Sequence, residues 1–274
     1  MTAIQMLLRL SALFLLLAGN NCFADTPSSK PPNIIFLLAD DLGAGDLGCC
    51  GHPYARTPNI DSLARDGTRF TQYHATGCTC CPARTGLMTS WFPARYATYP
   101  ANGGFGNRVT VTELLKKHGY VTGHFGKWHI GPDQKPGTYG IDIISAGEKD
   151  DGGKRKKKGD EHGRDAHVYD AAIKFIEQHK DRPFYVNVWG HIPHNPVNPA
   201  DSLVKRWADL NVNDADFSSQ MHAKFKTVRE AGGDVDDGMR RYLADIESLD
   251  DSVGRILKRL DELNLRDNTI VVFN

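Results

Sequence analysis

The chain carries no net charge, because 33 Lys and Arg balance 33 Asp and Glu over its 274 residues. Charge alone therefore calls for no nucleic-acid partner, and any electrostatic binding must be local. Stable membrane insertion is also disfavoured, since the apolar run LSALFLLLAG behind Arg9 is too short to span a bilayer comfortably. The pair of C-x-x-C motifs that makes a strong structural zinc site is missing, so cross-loop disulfides are the better expectation for Cys49, Cys50, Cys78 and Cys81. No internal repeat is visible.

What is present is an ordinary globular composition, 40% hydrophobic, enough for one large α/β domain or two small ones. Arg9, the short apolar run and the small residues before Asp25 read as a signal peptide over 1–24, followed by a short linker at 25–32. Export to a periplasmic or extracellular compartment would place five remaining cysteines in oxidising surroundings, an odd number that leaves one thiol over. The basic stretch Lys154–Lys158 reads as a solvated loop insertion.

From Asn33 onward, strand and helix signals alternate. NIIFLLADD is a near-continuous apolar run ending in two carboxylates, as expected of a parallel strand buried on both faces. TPNIDSLARDG predicts a helix with Thr57 at the cap, Pro58 in the first turn, Ile60, Leu63 and Ala64 buried, and Gly67 at the stop. Thr110 and Glu113 predict a capping box, with Gly119 ending that helix before the strand YVTGHFG. The amphipathic stretch DAHVYDAAIKFIEQHK leads to the strand PFYVNVWG. A long helix over Met239–Leu263 leads to NTIVVFN.

This alternation predicts a largely parallel sheet with helices on both faces, whose ligands bind beyond the C-terminal ends of the strands. The residues at those ends are Asp40 and Asp41, then Lys127 and His129, then His191 and His194. All should meet at one crevice.

NIIFLLADDLGAGDLGCCG, TPNIDSLARDGTRFTQYHAT, CCPARTGLMTS, GYVTGHFGKWHIG, HIPHNPV and DDSVGRILKRLDELNLRDNTIVVF resemble, in that order, the N-terminal portion of the type I, formylglycine-dependent sulfatases of the alkaline phosphatase superfamily. The most specific element is Cys-x-Pro-Ala-Arg, met only by Cys80, Cys81, Pro82, Ala83 and Arg84. The resemblance implies an alkaline-phosphatase-like α/β fold over 33–274 and hydrolysis of an aryl or carbohydrate sulfate ester. It implies that a formylglycine-generating maturation enzyme oxidises Cys80 to an aldehyde, whose hydrate attacks sulfur with one hydroxyl and expels sulfate with the other.

By the same resemblance Asp40, Asp41 and the residue at 80 hold Ca²⁺, with Mg²⁺ as the other hard cation of this type. Arg84 holds the nucleophile and the metal-site carboxylates in place. Lys127 and His129 are assigned to the nucleophile and sulfate, and His194 to the leaving-group oxygen as acid or to a sulfate contact. His191 has no clear counterpart and is expected to be structural or to line the substrate site. Pro82 should fall in the first turn of a helix through Leu87, turning backbone N–H groups towards the anion.

Sulfatases continue beyond the strand matching TIVVF into a Ser-Asp-Asn-Gly-type loop that completes the metal site. A chain stopping at Asn274 is accordingly expected to be truncated, to bind Ca²⁺ weakly and to turn over little. Two alternatives follow: an impaired sulfatase-like protein that keeps anion or glycan binding, and a phosphomonoesterase of the same superfamily. The second is disfavoured because those enzymes use Ser or Thr where this chain has Cys80.

Overall fold

Asn33–Asp40 forms the first strand, β1, and every pairing it makes is parallel. The computed structural model describes residues 30–99, 103–131, 135–145 and 162–274. The expected signal peptide, residues 25–29 of the linker and the Lys154–Lys158 stretch lie outside the described residues. The folded unit runs from Pro32 to Asn274.

Four more strands complete the sheet: β2 (Val121–Gly126), β3 (Ile143–Ser145), β4 (Phe184–Pro193) and β5 (Thr269–Phe273). Their order is β3-β2-β4-β1-β5, parallel throughout. β1 lies between β4 and β5, which places its carboxyl end near the middle of the sheet's C-terminal edge. β4 runs beyond the predicted Gly190 to Pro193, so His191 belongs to a strand rather than to a loop.

The helices are α1 (Pro58–Asp66), α2 (Cys80–Thr89), α3 (Val111–Lys117), α4 (Ala166–His179), α5 (Asp201–Lys205), α6 (Ser219–Glu230) and α7 (Val235–Glu262). On one face of the sheet Ile35, Leu37, Val186 and Val188 pack with Ile60 of α1, Val168, Ala172, Phe175 and Ile176 of α4, and Ile246, Leu249, Val253 and Ile256 of α7. On the other face Trp189 and Leu38 pack with Met88 of α2, Val111 of α3, Trp128 and Ile130. Alternation along β1 and β4 feeds both cores, as expected of strands covered on two sides.

The predicted caps are correct in position and partly different in chemistry. Thr110 and Glu113 form the capping box, and Gly119 adopts a φ of 84° just beyond α3. Thr57 occupies the cap of α1 but makes no cap hydrogen bond. Its hydroxyl instead accepts from the Gly48 N–H at 2.9 Å and donates to Asp61 at 2.9 Å. Within α1 only Ile60 is fully buried, while Leu63 and Ala64 are partly covered. α7 begins four residues before the predicted Met239, because Asp234 caps it through the N–H groups of Asp236 and Asp237.

The disulfide expectation is corrected. No disulfide joins Cys49, Cys50, Cys78, Cys80 or Cys81. Cys49 and Cys50 lie with sulfurs 3.8 Å apart, far beyond a disulfide bond, and Cys81 is turned into the interior while Cys50 and Cys78 face solvent. Burial, with Asp61 and Cys50 beside it, pushes the Cys49 thiol up to about 12, so it stays protonated. Among the described residues no helix is long and apolar enough to cross a membrane.

Candidate active site

The crevice begins where β1 ends. Asp40 completes the strand as a buried residue, and Asp41, with a φ of 66°, turns the chain sharply so that its own carboxylate faces solvent. A short polar Asp tolerates that left-handed conformation better than most residues. Two adjacent carboxylates are thereby separated into an inner and an outer one.

Asp40 sits between two cations. Arg84 Nη2 donates to Oδ1 at 2.9 Å, and Lys127 Nζ donates to Oδ2 at 2.5 Å. Burial pushes the Asp40 carboxyl up, but Arg84 and Lys127 together outweigh it and hold it below its ordinary range. Arg84 is itself buried. It donates through Nη1 to the Lys127 carbonyl at 3.1 Å and lies over the Trp189 ring at 5.0 Å.

Lys127 is delivered by the end of β2. Gly126 has a φ of 97°, and any Cβ there would collide with the Trp189 carbonyl, so glycine allows β2 to close against β4. The Lys127 N–H then donates to that same carbonyl at 2.8 Å. Trp128 and Ile130 are buried anchors on either side of His129, which leaves His129 exposed in a left-handed conformation at φ 52°. Burial, then Lys127 and Arg84, lower the His129 imidazole, with Asp40 opposing, so it is neutral near pH 7.

Cys80 is the first residue of α2, with Pro82 in the first turn. The helix divides the adjacent cysteines: Cys80 faces the crevice and Cys81 is buried. Cys80 Sγ lies 3.4 Å from Lys127 Nζ and 4.0 Å from Asp41 Oδ1. His194 Nε2 lies 3.6 Å from Asp41 Oδ2. Asp40, Asp41, Cys80, Arg84, Lys127 and His194 thus form one contiguous group, and His129 is close enough to feel its charges.

The family model for sulfatases matches residues 32–274. The chain belongs to the sulfatase family. The chain is 30% identical to mouse N-acetylgalactosamine-6-sulfatase over 299 aligned residues, covering 98% of this chain and 53% of that protein. It is 47% identical to human arylsulfatase A over 110 residues, covering 38% of this chain and 22% of that protein. The solved structure of Ps i-CgsB in complex with a neocarrahexaose superposes with a TM-score of 0.70 at 24% identity, over 89% of this chain and 58% of the other. This sulfatase-family chain therefore spans about half the length, or less, of these curated relatives.

Sequence reasoning missed the residues that hold His194. Asp165 occupies the N-cap position of α4 yet makes no cap hydrogen bond. Its carboxylate reaches across to β4, where Oδ2 accepts from the N–H groups of His191 at 2.5 Å and Ile192 at 2.7 Å, while Oδ1 lies 3.4 Å from His191 Nδ1. Arg164 donates to the carbonyls of His194 at 2.8 Å and Pro196 at 3.0 Å, and pairs with buried Asp245 of α7 at 3.0 Å. His191 is thus tied to this scaffold rather than to the carboxylate pair. The adjacent Arg164-Asp165 charges before an amphipathic helix were the available signal.

Proposed function

We propose that this chain provides the nucleophile-bearing part of a sulfuric ester hydrolase. The observation that carries this reading is the placement of Cys80, within Cys-Cys-Pro-Ala-Arg at the start of α2, between Lys127 and Asp41. Converted to formylglycine and hydrated, residue 80 would supply a gem-diol: one hydroxyl would take the sulfo group as the alcohol departs, and the other would then lose its proton as the aldehyde re-forms and sulfate is released. Serine lacks that second hydroxyl.

The donor chemistry fits a hard divalent cation, Ca²⁺ or Mg²⁺, because Asp40 and Asp41 offer carboxylate oxygens at the crevice and the diol would add another. Bound there, the cation would favour the ionised diol hydroxyl and offset sulfate charge. Arg84 holds Asp40 from behind, out of reach of substrate, and so preserves the carboxylate's orientation. Lys127 faces both Asp40 and position 80, placing a positive charge where nucleophile and sulfate meet. Neutral His129 lines the same wall. His194 stands opposite, beside Asp41, in position to contact sulfate or protonate the departing alcohol.

The substrate class is an aryl sulfate or a sulfated carbohydrate. The relatives' names support both, and the structural neighbour solved with a neocarrahexaose favours a glycan. Export and a formylglycine-generating enzyme as maturation partner belong to the same reading.

Mass spectrometry after co-expression with that enzyme provides the test. The peptide containing Cys80 should lose sulfur and gain an aldehyde while Cys81 stays intact, and an unmodified Cys80 would overturn the reading. Joined to the C-terminal segment of a relative, the matured chain is expected to hydrolyse 4-methylumbelliferyl sulfate, and rates equal to those of Cys80→Ala would count equally against it.

A further inference from the structure

We propose that the encoded, unconverted form of this crevice is a zinc site, held by Cys80, His194 and Asp41 with Asp40 beside them. The proposal concerns the thiol before any maturation and stands whether or not the chain hydrolyses sulfate esters.

Three ligand atoms, from Asp40, Cys80 and His194, lie within 4.8 Å of one another. Asp41 lies beside this group through two different oxygens, Oδ1 at 4.0 Å from the Cys80 sulfur and Oδ2 at 3.6 Å from His194 Nε2. In a tetrahedral zinc site the usual Zn–S, Zn–N and Zn–O bond lengths put neighbouring donor atoms about 3.4–3.6 Å apart. The Asp41 contacts are close to those separations, whereas the Asp40, Cys80 and His194 donors, up to 4.8 Å apart, must draw inward around an ion. Asp41 and His194 are both partly solvent-exposed, so those movements meet little packing resistance.

The state of the His194 ring supports the same conclusion. Nδ1 lies 2.6 Å from the Asn195 carbonyl, which can only accept, so Nδ1 carries a proton. In the neutral ring Nε2 is then the free lone pair, and it is the atom that faces Asp41. A histidine whose other nitrogen donates to a backbone carbonyl is the arrangement that orients metal-binding imidazoles. The carbonyls of His194 and Pro196 are in turn fixed by Arg164.

Charge and softness favour zinc over calcium in this form. The Cys80 thiolate, Asp40 and Asp41 contribute three negative charges against the two positive charges of Lys127 and Arg84, leaving the crevice net negative. Thiolate and imidazole donors suit Zn²⁺ and are poor ligands for Ca²⁺. On binding, the thiol gives its proton to solvent and a sulfur–zinc bond forms, with no change in oxidation state. Conversion of Cys80 would remove the only sulfur donor and shift the site from zinc to hard cations.

Co²⁺ serves as the spectroscopic probe, added to the full chain expressed without maturation and shown by intact mass to retain Cys80. A thiolate-to-cobalt absorption band should appear with one equivalent, be abolished by equimolar Zn²⁺ and persist in excess Ca²⁺. Cys80→Ser should lose the band, and His194→Ala should weaken Co²⁺ binding about tenfold or more. Cys49→Ala/Cys50→Ala should change neither, and circular dichroism verifies that each variant is folded. No band in the wild-type chain, a band that survives Cys80→Ser, or unchanged affinity in folded His194→Ala would each overturn the proposal. No turnover is measured, so loss of the sulfatase reading leaves this result intact.

Discussion

At the residue scale the crevice is governed by charges that water cannot reach. Arg84 and Asp40 are 2% and 3% exposed, and removing one member of such a pair leaves the other uncompensated. Arg84→Ala is expected to destabilise the fold by about 3–5 kcal/mol, read from denaturant midpoints. Because the Asp40 carboxyl is held below its ordinary range, its contribution is present above the unfolded value near 3.9 and is lost as pH falls through the lower folded value. His124 makes a second, separable contribution. It is fully buried between Trp128 and Trp189, and burial followed by the Arg84 charge lowers its imidazole to about 3. The unfolded chain takes up a proton near pH 6.5 and the folded one does not, so stability should decline as pH falls from about 6.5 towards 3. His124→Asn should flatten that slope in a pH series of urea titrations, and an unchanged slope would refute the assignment.

At the element scale the segment bearing His194 is fixed from outside its own strand. Asp165 receives two consecutive N–H groups at the end of β4, and Gly190 permits the approach because a side chain there would strike that carboxylate. Asp165→Ala leaves both amides without an acceptor in a buried setting, at a cost of about 1–3 kcal/mol each. Native-state hydrogen exchange should show the His191 and Ile192 amides losing protection while those of Val186 and Val188 keep theirs. Equal protection in the variant would mean that the strand end holds itself. Asp165 stands at the N-cap position of α4, a local placement, whereas its acceptor role depends on β4.

At the scale of the whole molecule the sheet separates two cores. Ile256 of α7 packs in the core with α4 and the sheet on one face, and Ile141 packs with Trp128 and Trp189 on the other. Ile256→Val and Ile141→Val should each cost about 0.5–1.5 kcal/mol, and the double variant should equal their sum within about 0.5 kcal/mol. A larger coupling in thermal or chemical denaturation would show that the two layers share strain through the strands. Among the described residues β3 and β5 are the two edge strands of this sheet, and Ile270 of β5 is half exposed.

The sequence by itself determined the alternating strands and helices, the amphipathic faces of α4 and α7, the Thr110–Glu113 capping box and the residues at the strand ends. Each follows from periodicity or from a neighbour a few positions away. It also separated Cys80 from Cys81 by motif. Only the tertiary structure decided that Asp40 is buried between Arg84 and Lys127 while Asp41 is exposed, that Cys81 faces the core, and that Arg164 and Asp165 serve β4 rather than α4. Those outcomes depend on which groups burial brings together from distant parts of the chain. In a low-dielectric interior the partner, rather than the residue type, sets a charge's orientation and protonation.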